Sequence, residues 1–217
     1  MFQIIYTDIS TIDASMYERL YASASSARQY RADRCRLFAD KVRCIAGDAL
    51  LRYALDCRGH SGGFRVDTGP HGKPFLPDVP DFHYSLSHSG RWAAIAWGNT
   101  PVGLDIETIA PRPHAEAIVR RRCTPAELSY LLDAPEPERL QRFYRLWTAK
   151  EAYVKYLGTG LTRPLSSFSV IPPESLGIPL HWDLLPDACL CLCGGEVCRM
   201  AILPAADLPE REVYPAR

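Results

Sequence analysis

The chain has 217 residues, and its 25 basic and 25 acidic side chains cancel, so no global field draws it to nucleic acid or to an anionic membrane. Its hydrophobic fraction of 47% and charged fraction of 23% are those of a folded protein long enough to bury roughly 70% of its unfolded surface. Any electrostatic recognition therefore has to be local.

The opening "MFQIIYTDIS" lacks the basic start and apolar run of a signal peptide, and no apolar run reaches bilayer length. A cytoplasmic protein with reduced cysteines is the expectation. "FQIIYTDI" reads as a strand. After an arginine-studded stretch comes a helix with Asp40 as cap, Val42, Ile45, Ala46, Ala49, Leu50 and Tyr53 on one face, and Gly59 near its stop. "GGFRVDTGPHGKPFLPDVPD" is turn-rich. "FHYSLS" and "RWAAIAW" follow as two strands joined through "HSG", which places Ser87, His88 and Ser89 at a turn.

"VGLDIE" alternates: Val102, Leu104 and Ile106 share one face, Gly103, Asp105 and Glu107 the other. Two carboxylates side by side repel, so that face is either wet or shared with a cation. Next, "CTPAELSYLLD" opens a helix with a capping box between Thr124 and Glu127. The long helical pattern "PERLQRFYRLWTAKEAYVKYLG" carries an apolar stripe of Leu140, Phe143, Tyr144, Trp147, Val154 and Leu157 and stops at Gly158. "FSVI", "LHWDLL", "CLCLC" and "VCRMAIL" are the closing strands. Cys189, Cys191, Cys193 and Cys198 have the spacing of strand packing, not the paired C-x-x-C of a zinc site. The chain thus divides into two α+β halves, 1–101 and 102–217.

Glu151 lies on the apolar stripe, one turn from both Trp147 and Lys155, so a carboxylate and an ammonium project together from the rim of the buried side. With Asp105 and Glu107 it makes an all-oxygen set suited to magnesium, or to manganese, and such a metal points to a phosphorylated substrate. Candidate phosphate ligands are Lys73, held on a loop between Gly72 and Pro74; Ser87 and His88; and Arg43, which heads a helix in a local basic patch.

The sequence resembles the surfactin-synthetase-type 4′-phosphopantetheinyl transferases through "GKPFL", "FHYSLSHSGRW", "VGLDIE" and "FYRLWTAKEAYVKYLGTGL", which keep the family's order. The resemblance implies an α+β molecule of two pseudo-twofold-related halves, each a small antiparallel sheet packed with a long helix, with coenzyme A in the cleft between them; two such internal halves lead to the expectation of a monomer. Residues 1–101 would form the adenosine and phosphate side and 102–217 the metal and catalytic side. It implies Asp105, Glu107 and Glu151 as ligands of magnesium, with Lys150, Lys155 and Lys73 against phosphate. Arg43, Ser87 and His88 would grip the adenosine end, with Arg28 and Arg31 as further contacts. The implied reaction moves the phosphopantetheine arm of coenzyme A to a serine of an acyl or peptidyl carrier protein and releases adenosine 3′,5′-bisphosphate. Glu151 is the expected base and Glu127 its rival; the carrier would dock on Ala110 to Cys123. Two other readings stand beside it, a non-catalytic coenzyme A-binding protein and a magnesium-dependent hydrolase of a nucleotide pyrophosphate.

Overall fold

The computed structural model describes residues 1–210, so the end of the second half, 211–217, lies outside the described residues. Strand β1 (Phe2–Asp8) leads through helices α1 (Ala14–Ser23) and α2 (Ser26–Asp33) to the long α3 (Phe38–Asp56). The turn-rich stretch holds only the short pair β2 (Asp67–Thr68) and β3 (Pro74–Phe75), and the hairpin β4 (His83–Ser89) and β5 (Trp92–Gly98) follows. The second half runs β6 (Gly103–Thr108), α4 (Ala115–Arg122), α5 (Pro125–Leu132), α6 (Glu136–Leu157), β7 (Leu180–Leu185), β8 (Ala188–Cys193) and β9 (Val197–Ile202).

Two main sheets form, ordered β4-β5-β1-β9 and β6-β8-β7, and the fold is α+β as expected. Side-chain alternation sorts their faces into layers. Ile5, Ala93, Ile95 and Trp97 pack toward α3, together with Val42, Ile45, Ala49 and Leu50. On the opposite face, Ile4, Trp92, Ala94 and Ala96 meet Leu104, Ile106, Leu190 and Leu192 of the second sheet. The far face of that sheet, with Cys189, Cys191 and Cys193, lies under α6. The order is therefore helix, sheet, sheet, helix. Each fully buried Leu or Ile of the middle layer contributes roughly 1.5–3 kcal/mol relative to exposure, and this layer sets how the two sheets sit on each other.

Local sequence explains the two helices that matter most for the site. α5 begins at the capping box of Thr124 and Glu127 with Pro125 in the first turn. α6 carries Glu136 and Glu138 in its first turn and ends where Gly158 takes a left-handed conformation with φ of 70°, so macrodipole and chain stop agree with its length.

Four local expectations are corrected. Asp40 lies inside the first turn of α3 and Leu37 is the N-cap. His88 and Ser89 belong to β4, paired with Ala93 and Trp92, and the turn is Gly90–Arg91, with Gly90 at a φ of 55°. "FSVI" is not a strand: the carbonyls of Leu165 and Phe168 are taken by Lys150 Nζ, and the Val170 amide by Glu127 Oε1, leaving no ladder to build. "VCRMAIL" does form a strand, but β9 pairs in parallel with β1, because both sides of β8 are already occupied by β6 and β7.

Candidate active site

The site is built where β6 meets α6. The two elements touch at Gly103, where any Cβ would run into the Ala152 carbonyl and the Tyr156 amide, so only glycine lets the backbones approach this closely. One turn along, the ammonium of Lys155 reaches over the strand and donates to Asp105 Oδ1 at 2.7 Å, Ser87 Oγ at 2.9 Å and the Leu104 carbonyl at 3.0 Å. All three of its N–H bonds are used. Ser87 in turn donates to Asp105 Oδ1 at 2.9 Å. The other oxygen, Asp105 Oδ2, is buried without a hydrogen-bond partner among the described residues.

Glu107 and Glu151 complete the acidic group. Burial pushes both carboxyls above the ordinary value, and the negative charge of Asp105 pushes further in the same direction. Lys155 opposes this for both, and a hydrogen bond from Ser89 also opposes it for Glu107. Among the described residues no three His, Cys, Asp or Glu side chains are gathered as a finished metal-binding cluster. What the residues offer is an orphaned carboxylate oxygen on Asp105 beside two carboxyls that repel it, an oxygen-only donor set that a divalent cation would relieve. The donor chemistry fits magnesium.

A cavity of about 690 Å³ opens between α3, β4, the His71–Pro74 loop and the end of α6, and Arg43, Lys73, Ser87, His88, Asp105 and Lys155 all line it. Arg28 and Arg31 line it too, with Arg28 held 3.8 Å from the buried Asp48. Arg43 is anchored by Asp40 at 2.6 Å and by two hydrogen bonds to the Gly90 carbonyl. Lys73 donates to the carbonyls of Val102 and Tyr156, each at 3.0 Å, and burial lowers its ammonium to about 8. Burial also lowers the His88 imidazole, with the cations of Arg43 and Lys155 adding to the effect. Cations from both halves thus converge on one opening, the arrangement an anionic phosphate ligand needs.

The family model of the 4′-phosphopantetheinyl transferase superfamily matches residues 101–197. A 4′-phosphopantetheinyl transferase of Bacillus subtilis is 36% identical over 76% of this chain and 74% of its own length. The chain belongs to the 4′-phosphopantetheinyl transferase superfamily. The transferase Sfp of B. subtilis strain 168 is 39% identical over 64% of each chain, and the transferase psf-1 of Bacillus pumilus 35% identical over 76% of this chain and 72% of its own.

In this transferase the carboxylate from α6 stands on a different opening. Glu151 lines a second cavity, of about 730 Å³, with Phe143, Trp147, Ile118 and Leu165 for walls and Arg112, Arg121 and Arg122 around it. Asp105 on the first cavity and Glu151 on the second still feel each other's charge, so the acidic group sits on the divide between them. The sequence assigned Phe143 and Trp147 to packing alone. Their stripe is helical in period whether a wall faces core or cavity, so periodicity carried no signal of the second role.

Two motif residues lie elsewhere. Lys150, expected at the coenzyme, is buried in the transferase core: its ammonium donates to the Leu165 carbonyl at 2.7 Å, the Phe168 carbonyl at 2.8 Å and Glu127 at 2.8 Å. Its side chain is 0% exposed and lines neither cavity, whereas Lys155 lines the first, so Lys150 has no access to a phosphate. Glu127, the rival base, uses one oxygen on Val170 N and the other on Thr124 and Lys150, so it is a structural carboxylate. A lysine beside a glutamate in sequence gives no sign of facing inward, because consecutive helical residues point about 100° apart.

Proposed function

We propose that this chain moves the phosphopantetheine arm of coenzyme A to a serine hydroxyl of an acyl or peptidyl carrier protein, in a magnesium-dependent reaction. Enzyme class and family are those of its relatives. The observation that carries the finer reading is the acidic group between two cavities, one lined by cations and the other by apolar side chains. Coenzyme A lies in the first, its 3′-phosphate toward His88 and Arg43 and its pyrophosphate toward Lys73 and Lys155. The carrier approaches the second, where Phe143, Trp147 and Ile118 offer an apolar wall and Arg121 and Arg122 suit an acidic helix.

Asp105, Glu107 and Glu151 would hold the metal, which supplies charge neutralisation for the pyrophosphate when bound. The chain's own residues do the remaining work. The serine oxygen attacks the β-phosphorus in line, the bond from that phosphorus to the bridging oxygen breaks, and adenosine 3′,5′-bisphosphate departs with the electron pair. Glu151 takes the serine proton, directly or through a water; burial raises its carboxyl above the ordinary value before a metal binds, and a bound magnesium would lower it again. Lys155 and Lys73 neutralise charge that grows on the leaving phosphate. In this reading residues 1–101 contribute the adenosine and phosphate side, residues 102–217 the metal and catalytic side, and the enzyme acts as a monomer without nucleic acid or membrane. No described helix is long and apolar enough to cross a membrane. A cytoplasmic setting accords with eight unpaired cysteines.

The test is to incubate the protein with coenzyme A, magnesium and several apo carriers and to weigh each carrier by mass spectrometry. One added phosphopantetheine group on a carrier supports the reading. Coenzyme A consumed with no carrier modified would favour hydrolysis, and tight binding without turnover a sensor.

A further inference from the structure

The two sheets are joined by more than apolar packing. β4 is the outer strand of the first sheet and β6 the outer strand of the second, and the outward amides of β6 have no ladder partner within their own sheet. Three alternate serines of β4 supply one. Leu104 N donates to Ser85 Oγ at 2.9 Å, Ile106 N to Ser87 Oγ at 3.3 Å and Thr108 N to Ser89 Oγ at 3.1 Å. Buried amides left without partners would each cost about 1–3 kcal/mol, so the hydroxyls act as a side-chain ladder between edges. A fourth bond, from Thr108 Oγ1 to the Ser89 carbonyl at 3.0 Å, closes the seam, and Gly90 is needed there because a Cβ would strike Thr108 Oγ1.

A hydroxyl that accepts from an amide still has its proton to give, and the strand register decides where it goes. Ser87 gives its proton to Asp105, and Ser89 gives its own to Glu107 Oε2 at 2.6 Å. Ser85 accepts from Leu104, so by the same register the residue placed to receive its proton is Gly103, which has no carboxylate. The seam therefore has one purely structural rung and two that also grip the acidic group.

We propose that Ser89 is a positioning residue for the transfer reaction: anchored on the Thr108 amide, it fixes one oxygen of Glu107 so that the other is turned toward Asp105 and the metal. The first sheet then does more than bind the nucleotide, because it orients a metal ligand carried by the second. This inference rests on the metal reading given above.

The experiment measures Mn²⁺ affinity by electron paramagnetic resonance, as the metal alone on the intact chain, together with the thermal midpoint. The variants are S89A, S89T and S85A. S89A is expected to weaken Mn²⁺ binding by about tenfold or more, as removal of a partner that orients a ligand does, and S89T, which keeps the hydroxyl, to restore it. S85A is expected to lower the midpoint while leaving Mn²⁺ affinity as in wild type. Equal loss of midpoint in S89A and S85A with unchanged Mn²⁺ affinity in both would overturn the positioning role and leave the metal reading standing. Absence of Mn²⁺ binding by the wild-type chain would overturn the metal reading, and this inference with it.

Discussion

Helix α6 presents two lysine–carboxylate pairs five residues apart, and they are opposite in kind. Lys150 and Glu127 meet at 2.8 Å with both side chains 0% exposed, every ammonium proton and both carboxylate oxygens being used within the core. Lys155 and Asp105 meet at 2.7 Å with exposures of 32% and 7%, open on one side to a cavity, and Asp105 keeps one oxygen without a partner among the described residues. Similar chemistry serves two ends. A closed pair fixes where the 160s loop runs against the helix, whereas an open pair holds charge ready for a ligand.

Substitutions can break or sharpen that contrast. The largest effect is expected at the closed pair. Lys150→Ala strands a buried carboxylate and should destabilise the fold by about 3–5 kcal/mol in chemical denaturation. Lys155→Ala should cost less stability than Lys150→Ala, because its pair is open to a cavity where water can enter, but lower kcat by roughly 10²–10³-fold in carrier-loading assays, the usual loss when one preorganised cation is removed from a developing charge. If Lys150→Ala folded normally and lost only turnover, the distinction between the two pairs would be wrong.

Gly103→Ala comes next, because its Cβ must push α6 away from β6 and so part Lys155 from Asp105. A stability loss of about 1–3 kcal/mol with a larger drop in turnover than that loss explains is the expected pattern. Lys73 gives a smaller, pH-dependent effect. Its folded-state ammonium titrates at about 8, so it is charged below that pH and neutral above it. Coenzyme A half-saturation should therefore rise as pH climbs through about 8, and Lys73→Arg, which stays charged, should flatten the rise. The smallest effect belongs to Arg121 and Arg122. Replacing both with alanine should raise the carrier KM severalfold and leave that for coenzyme A unchanged; equal changes in both would sink the docking assignment.

Much of this was legible in the residues. Period-two alternation fixed which side of β6 carries Asp105 and Glu107, the capping box placed the start of α5, and Gly158 marked the stop of α6. Other features depend on contacts that spacing does not encode. β9 crosses to β1 because β8 has no free edge, a fact of sheet order and not of the strand's own composition. Ser87 and Ser89 of β4 look like turn residues, since small hydroxylated side chains suit hairpin turns as well as a seam between strand edges. Lys150 was misassigned because its carboxylate partner lies on another helix and its carbonyl partners on an irregular loop.

The central claim is that Asp105, Glu107 and Glu151 act together on one divalent cation at the divide between the two cavities. Carrier loading followed by mass spectrometry, with magnesium and then with excess chelator, tests it most directly when Glu151→Ala is run alongside wild type. The account predicts loading by wild type with magnesium only, and none by the variant in either condition. Undiminished loading in chelator, or by Glu151→Ala, would contradict it.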